Sequence, residues 1–347
     1  MAGHPADPIP LLQRAMDAAR ERPPESRPTG VVRSYDFIAA DDGFREQILA
    51  GLSRPGKSLP WTTLFDTEGL QLFERVCAQP EYLAARIERV ILKTSIGEIV
   101  EFVGGDCQFI ALGSHGMAST RLLTEHLRPA IYVPVDCSRA TLEDSTRHYA
   151  QSFPWLNICG LHARFDEPLH LPRFVGAPVQ HKVVSLLGAA FARYAPAAAP
   201  GLLVALRALA GPAGRVLVAV DQTADWQMLE GAYNDKQGAM AAFNANALRR
   251  INKELAADFQ IRRFSHIASF DPREGWLEMS LESQYAQFAH VGRMRFDFAP
   301  GERIRTAIHR TYSAQEFRLL AQKAGLRIEK SWSDTHNLFA VHCMVAL

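Results

Sequence analysis

The chain has 347 residues, of which 48% are hydrophobic, enough to bury the core of one large domain. Its 38 Lys and Arg residues nearly cancel its 37 Asp and Glu residues, so we expect no nucleic-acid or membrane partner. No apolar run approaches the roughly 18 residues that cross a bilayer. The five cysteines lack a CxxC spacing and the twelve histidines lack an HExxH pattern. We therefore expect reduced thiols, no metal site and a cytoplasmic protein.

The N-terminal segment, residues 1–56, is predicted to be a polar arm. Residues 1–28 are rich in proline and arginine and contain no apolar segment typical of a signal peptide. A helical cap is expected to follow over residues 57–104.

Apolar strands and helical patterns alternate through residues 105–224. Strands are predicted at Gln108–Leu112, Ile131–Val135, Leu156–Leu161, Lys182–Leu187 and Arg215–Asp221. Helices are predicted between them, at Met117–Leu127, Arg139–Phe153 and Pro200–Ala210. This alternation is typical of a doubly wound, parallel, Rossmann-like α/β sheet.

The pattern changes after residue 224. Residues 225–258 are predicted to form two helices that break near residues 234–238. Short strands of alternating polarity follow at Arg263–Phe270, Glu274–Ser283 and Arg293–Phe298. A helix at Ser313–Ala324, capped by Gly325, and strands at Leu326–Ser331 and Leu338–Ala346 are expected to rejoin the sheet. Residues 225–311 are therefore interpreted as an inserted α+β substrate lid, and residues 105–224 with 312–347 as the core domain.

The segment from Ile110 to Arg121 carries the most informative functional signal. An apolar run ends in a small loop containing Gly113, Ser114 and Gly116, and the next apolar run ends in Asp136. Backbone N–H groups in such a loop face a nucleoside, and the acid accepts from its ribose hydroxyls. Small-residue loops after strands are common, so the pattern alone is weak evidence. The alternative role of Asp136 is to cap the following helix.

A series of short segments from residue 57 to the C-terminus recurs, in the same order, in one known family. The segments include Lys57–Pro60, Leu64–Gly69, Gln79–Tyr82, Ala232–Asp235, Ala241–Asn246, Asn252–Leu255, Trp276–Met279 and Gly301–Thr306. They resemble the histidine-specific N-methyltransferases that form hercynine in ergothioneine biosynthesis. The resemblance implies a class I methyltransferase core, S-adenosylmethionine (SAM) as cofactor and a small-molecule amine or amino-acid substrate.

The resemblance also implies a set of cofactor-binding residues. These are Gly113, Ser114, Gly116, Asp136, Phe165 and Gly188. Two residues depart from the family pattern. His115 places a side chain where the backbone normally approaches SAM. Arg164 replaces an Asp that accepts from the adenine amino group, and arginine has no acceptor, so Asp166 would have to substitute.

The substrate pocket implied by the resemblance combines aromatic and polar residues. Its members are Phe65, Phe73, Tyr82, Arg193, Tyr233, Met279 and His309, with Tyr82 and Tyr233 orienting the reacting amine. Arg193 replaces a substrate-binding Asn and suits a carboxylate. For His309, a substrate hydrogen bond and a contact with Tyr312 remain alternatives.

The residues that hold the imidazole ring in the family are also replaced. Ala307 and His309 stand in place of a Glu and a Ser. A charge-assisted hydrogen bond contributes roughly 1.5–3 kcal/mol. Its loss predicts an N-methyltransferase for an amino acid or amine other than histidine.

Two alternative functions stay open. The replacements at His115, Arg164 and Arg193 favour a degenerate homologue that serves as a protein partner. The other alternative is an enzyme that uses SAM without methyl transfer and releases methylthioadenosine. Formation of S-adenosylhomocysteine would distinguish methyl transfer from both.

Overall fold

The computed structural model describes residues 30–38, 43–113, 118–165, 169, 171–172 and 179–347. An eight-stranded sheet forms the core. In chain order its strands are β1 (Val32–Asp36), β2 (Gln108–Leu112), β3 (Ile131–Asp136), β4 (Asn157–His162), β5 (Lys182–Leu186), β6 (Arg215–Asp221), β12 (Leu326–Ser333) and β13 (Phe339–Ala346). Their order across the sheet is β1-β4-β3-β2-β5-β6-β13-β12. All pairs are parallel except those of β13, which runs antiparallel to both neighbours.

The direction in which strands are added reverses between β2 and β5. β3 and β4 extend the sheet on one side of β2, whereas β5 and β6 extend it on the other. A crevice opens at the carboxyl ends of the strands at such a reversal, and doubly wound sheets bind ligands there. The predicted Rossmann-like α/β class is confirmed, and the last two strands rejoin the sheet as expected.

Helices cover both faces of the sheet because its strands are apolar on both sides. Helices α3 (Leu83–Val103), α4 (Ala118–Leu127) and α5 (Arg139–Ser152) bury their apolar residues against one face. Helices α6 (Ala199–Ala210) and α9 (Ala314–Lys323) cover the other. The sheet is thereby held between two hydrophobic layers, and its carboxyl edge remains for the site.

A second hydrophobic core lies above that edge. Its helices are α1 (Phe44–Leu52), α2 (Thr67–Cys77), α7 (Trp226–Tyr233) and α8 (Ala239–Leu255), and its strands are β7 (Phe264–Asp271), β8 (Trp276–Ser283), β9 (Gln287–Val291), β10 (Met294–Phe298) and β11 (Arg303–His309). The strands form a three-stranded sheet, β11-β8-β7, and a β9–β10 hairpin. Residues of all these segments share one hydrophobic cluster, so the cap and the insertion pack as one layer.

Most predicted element boundaries agree with the structure within two residues, but four elements were not predicted. β1 and α1 lie in the segment predicted as a polar arm, and β9 and β11 were absent from the predicted insertion. β1 is short and mostly exposed, and its pairing with distant β4 stabilises it. The C-cap residue of helix α9 is Ala324 and not Gly325 as predicted. Gly325 is the next residue and has a positive φ. No helix in the described ranges combines the length and apolar character that a membrane crossing requires.

Candidate functional site

The first part of the site is the edge where β2 and β5 end. Gly113 and Gly188 follow these strands with φ angles of 69° and 72°, which residues with a side chain rarely adopt. The N–H of Gly113 donates to the carbonyl of Val135 at 2.9 Å. Ser114, His115 and Gly116 lie outside the described residues. The two glycines turn the backbone sharply and leave the strand ends accessible.

Asp136 ends the neighbouring strand β3 and is 5% exposed. Its Oδ1 accepts from the N–H of Ser138 at 2.8 Å, and Ser138 is the N-cap of α5. Asp136 therefore orders the turn before the helix, but Ser138 caps the helix, so the alternative role of Asp136 as the cap was wrong. A cavity of about 160 Å³ beside this turn is lined by Ser138, Arg164 and Phe165, among others. The predicted residues Asp136 and Phe165 therefore lie at the same part of the edge.

Glu88 is a buried acid at this edge that the sequence analysis missed. It lies on α3, is 1% exposed, and its Oε2 accepts from the N–H of Gly188 at 2.7 Å. Burial raises the pKa of Glu88, although hydrogen bonds from Ser119 and from the N–H groups of Gly188 and Ala189 oppose the shift. Glu88 precedes Ile91 by three residues, so helical periodicity would have placed it on the buried face.

A larger cavity, of about 560 Å³, connects this edge with the cap. Glu88, Ser119 and Gly188 line it on the core side, and Phe73 lines it on the cap side. The residues fit SAM: Asp136 offers an acceptor for ribose hydroxyls, Glu88 a buried carboxyl group that can accept from the methionine ammonium, and Phe73 an aromatic face for the sulfonium. Arg164 offers no acceptor for adenine, and Asp166 lies outside the described residues.

A row of aromatic side chains leads from this cavity into the lid. The ring centroids of Phe65 and Phe73 are 5.4 Å apart, those of Phe73 and Tyr82 are 5.9 Å apart, and those of Tyr82 and Tyr233 are 6.0 Å apart. Each of the four side chains is at most 8% exposed. Burial raises the pKa of both tyrosines, so their hydroxyls stay protonated at neutral pH. The row provides an apolar wall with two hydroxyl groups at one end.

Arg193 lies at the other end of this aromatic row. Its guanidinium carbon is 4.8 Å from the ring centroid of Phe65, 5.2 Å from that of Phe73 and 5.4 Å from that of Trp61. Among the described residues, no carboxylate forms an ion pair with it. A cavity of about 410 Å³ opens beside Arg193 and is also lined by Trp61 and Ala307. Because the rings hold the cation by their faces, its N–H groups remain for an anion.

His309 is held in a buried hydrogen-bonded chain with two residues from other elements. Its Nδ1 lies 2.7 Å from the hydroxyl of Tyr233, and its Nε2 lies 2.9 Å from Oδ2 of Asp221. Tyr233, His309 and Asp221 are 8%, 1% and 4% exposed. These contacts replace the contact with Tyr312 that was one alternative for His309. Asp221 was missed, although it ends an apolar strand as Asp136 does.

The charge of Asp221 follows from this geometry. Burial acts to raise the pKa of Asp221, but the hydrogen bond and charge of His309, with hydrogen bonds from Thr223, lower it overall. Asp221 is therefore a carboxylate, which only accepts hydrogen bonds, so Nε2 of His309 carries a proton. When the ring is neutral, Nδ1 accepts from the hydroxyl of Tyr233, and when the ring is an imidazolium, Nδ1 donates to that oxygen.

Met279 lies deeper in the lid than the other predicted pocket residues. It is 1% exposed in β8 and pairs with Ala307 of β11. Its side chain belongs to the hydrophobic core that the cap and the insertion share. The structure therefore brings Phe65, Phe73, Tyr82, Arg193, Tyr233 and His309 into one continuous row and places Met279 in the supporting core.

Comparison with known proteins gives a consistent result. A family model described as "Histidine-specific methyltransferase, SAM-dependent" matches residues 44–346. The chain is 30% identical over 319 residues to the histidine N-alpha-methyltransferase of Mycolicibacterium smegmatis, a match that covers 89% of this chain and 98% of that enzyme. The enzyme of the same name from Mycobacterium tuberculosis is 30% identical over 297 residues, with 84% and 91% covered. The N-methyltransferase imqF of Aspergillus flavus is 25% identical over 322 residues, with 90% and 87% covered.

These comparisons contradict the expected substrate other than histidine. The matching family and both bacterial relatives are named for histidine. That expectation assumed that the replacements at Ala307 and His309 exclude histidine as a substrate. A lost hydrogen bond of roughly 1.5–3 kcal/mol changes affinity by about 10- to 160-fold, which weakens binding of a substrate without excluding it. The degenerate homologue and the enzyme without methyl transfer are likewise unsupported, because the family and the relatives are methyltransferases.

Proposed function

Because the chain belongs to the histidine-specific, SAM-dependent methyltransferase family, we propose that it methylates the α-amino nitrogen of histidine. Arg193 carries the proposal within the structure. Its guanidinium stands among three aromatic rings, without an ion-pair partner among the described residues, beside a cavity. Such a group suits the α-carboxylate of an amino acid, which it can bind through two parallel hydrogen bonds.

The rest of the aromatic row then determines where the substrate amine lies. With the carboxylate on Arg193, the amine lies on the adjacent carbon. The hydroxyls of Tyr82 and Tyr233, both within reach of the charge of Arg193, are the polar groups of the row that can orient it. Bound SAM supplies a methyl group on a positively charged sulfur. The residues act mainly by positioning the amine and excluding water, since the row is almost entirely buried.

We assign the core edge to the cofactor. Gly113, Asp136, Phe165 and Gly188 are supported by their positions at the ends of the central strands. Ser114 and Gly116 remain assigned from the sequence pattern alone. We also propose that residues 105–224 and 312–347 form the SAM-binding domain together with β1 and α3, which pack as part of the sheet layer, so the predicted cap of residues 57–104 is divided. Residues 44–77 and 225–311 share the covering hydrophobic cluster. The five free cysteines favour a cytoplasmic location.

The proposal is tested by incubating the purified chain with SAM and L-histidine and analysing the products by mass spectrometry. We expect S-adenosylhomocysteine together with methylated histidine. Histamine should react much more slowly, because it lacks the carboxylate that Arg193 is proposed to bind. Preferential methylation of another amino acid, or equal turnover of histamine and histidine, would contradict the proposal.

A further inference from the structure

We infer that Tyr233, His309 and Asp221 form a proton relay that removes a proton from the ammonium group of the substrate. Tyr233 is the member that touches the substrate, and His309 and Asp221 are positioning residues behind it. This inference rests on the proposed function, because it requires an amine in the pocket.

The need for a relay follows from the chemistry of the substrate. The α-amino group of an amino acid is mostly an ammonium ion at neutral pH, and an ammonium nitrogen has no lone pair with which to accept a methyl group. The four aromatic side chains of the row are at most 8% exposed, so bulk water has little access to an amine held against them. A protein group must therefore accept the proton.

Tyr233 cannot perform this step alone. Burial raises its pKa, with only partial compensation from the positive charge of Arg193, so a free tyrosinate is not populated at neutral pH. Tyr233 can nevertheless accept one proton while it gives up another. Its hydroxyl lies 2.7 Å from Nδ1 of His309, which makes this concerted transfer feasible.

The transfer balances without any additional reactant. An N–H bond of the substrate ammonium breaks, and its proton moves to the oxygen of Tyr233. The original hydroxyl proton of Tyr233 moves to Nδ1 of His309, which becomes an imidazolium. Oδ2 of Asp221, 2.9 Å from Nε2, stabilises that positive charge. The substrate amine is left neutral, with its lone pair available.

A small cavity gives the proton a way out. It measures about 20 Å³ and is lined by Asp221, Tyr233, His309 and Glu81, among others. This volume accommodates about one water molecule. Oε2 of Glu81 is buried there and has no hydrogen-bond partner among the described residues. A water in this cavity would lead from the relay to the carboxylate of Glu81.

The other titratable and charged groups around His309 come from several elements. Asp221 of β6, Tyr233 of α7, and Glu81 and Tyr82 before α3 line the same small cavity as His309. Cys77 of α2 and Arg193 act on the two tyrosines. Burial raises the pKa of the Cys77 thiol to about 11, so it is neutral.

The first test uses the protein without cofactor or substrate. Long-range proton–nitrogen NMR spectra distinguish the two tautomers of a neutral histidine. We expect His309 to carry its proton on Nε2, and to keep that tautomer in Tyr233→Phe. A proton on Nδ1 would overturn the relay, because Nδ1 would then donate to Tyr233 and could not accept.

The second test is the pH dependence of kcat for wild type and His309→Asn. The variant should be slower by about 10²- to 10⁴-fold at neutral pH, and its rate should rise with pH as a larger fraction of the substrate binds with its amine already neutral. Binding of histidine and SAM should change little. His342→Gln is the matched control, and the pH dependence of its kcat should equal that of wild type. His342 is a buried histidine on β13 that is hydrogen-bonded to Ser331.

The outcomes separate the relay from the proposed function. Turnover by wild type with an unchanged pH profile in His309→Asn would overturn the relay alone. Absence of histidine turnover in wild type would contradict the proposed function, and the tautomer would still decide whether His309 can accept a proton. If His309→Asn does not fold, Tyr233→Phe allows the same kinetic comparison with His309 and Asp221 in place.

Discussion

At the scale of single residues, environment decides what a side chain can do. Arg193 and Arg250 are both arginines next to aromatic rings, but Arg250 pairs with Glu254, whereas Arg193 has no ion pair among the described residues. Residue type predicted that Arg193 would suit an anion. Its position at the end of an aromatic row, beside a cavity, supplies the reason to expect that anion there.

Arg193→Ala is expected to weaken histidine binding by about 10- to 160-fold, because a charge-assisted contact contributes roughly 1.5–3 kcal/mol. Binding of SAM should stay within about two-fold of wild type, a change below roughly 0.4 kcal/mol. Calorimetric titration with each ligand separates the two effects. Arg193→Lys keeps the positive charge but cannot donate two parallel hydrogen bonds, so its affinity for histidine should be intermediate. Unchanged affinity for histidine in Arg193→Ala would rule out the carboxylate contact.

Asp136→Ala is expected to weaken SAM binding by a similar factor, because it removes the acceptor assigned to the ribose hydroxyls. Asp136→Asn is the matched control, since its carbonyl can still accept from the N–H of Ser138 and keep the turn. Calorimetric titration with SAM measures both variants. Normal affinity in Asp136→Ala would mean that the cofactor site has been placed wrongly.

At the scale of elements, the strands of the sheet place polar residues at defined points. β3 and β6 are buried and apolar along their length, and each ends in an acid, Asp136 and Asp221. Because both are parallel strands of one sheet, their carboxyl ends meet at the same edge. β13 differs, since its buried polar residue, His342, lies within the strand and packs on Phe317 of α9.

His342 should make the protein sensitive to acid. Burial, with the charge of Arg318, lowers its pKa from 6.5 to about 4. Between these values the unfolded chain binds a proton that the folded protein does not, so stability is full above pH 6.5 and falls as the pH drops towards 4. The loss from this group should reach roughly 3 kcal/mol.

Urea unfolding at pH 7 and at pH 4.5 measures this effect. The free energy of unfolding should fall more steeply in wild type than in His342→Gln, which does not titrate. His336→Gln is the control. Because His336 is exposed, its replacement should leave the fall in unfolding free energy between pH 7 and pH 4.5 as in wild type. Equal slopes in wild type and His342→Gln would contradict the expected titration.

At the scale of the whole molecule, the cap and the insertion form one layer although more than a hundred residues separate them in the chain. Asn246 of α8 donates to Oδ1 of Asp66, the N-cap of α2, at 2.7 Å. Gly69, in the first turn of α2, packs closely against the side chain of Asn246. The layer holds Phe65, Phe73 and Tyr233 over the sheet edge, so its seating determines the shape of the pocket.

Gly69→Ala is expected to destabilise the protein by about 1–3 kcal/mol, because the added methyl group would overlap the carbonyl oxygen of Leu64 and lie 2.8 Å from Nδ2 of Asn246. Gly231→Ala is the control: this glycine lies in α7, and its added methyl group meets no atom within 4 Å. It should be neutral or stabilising by up to about 1 kcal/mol. Equal melting temperatures for the two variants would show that the cap is not seated tightly at Gly69.

The sequence by itself determined the Rossmann-like core and the family, because these depend on local patterns. Strands such as β2 and β6 show apolar runs, and α5 shows helical spacing, so their ends are readable from neighbouring residues. The ordered family segments likewise lie within short stretches of chain. The same local patterns predicted that Asp136 and Gly113 lie at the ends of strands.

Only the tertiary structure decided how distant residues are paired. Asp221 and His309 are 88 residues apart, Glu88 and Gly188 are 100 residues apart, and β1 pairs with a strand more than a hundred residues away. No local pattern encodes such contacts, because they form only when the lid and cap pack on the sheet edge. The relay and the buried acid at Gly188 were missed for this reason, since packing between separate segments, and not periodicity within one, brings their groups within hydrogen-bond distance.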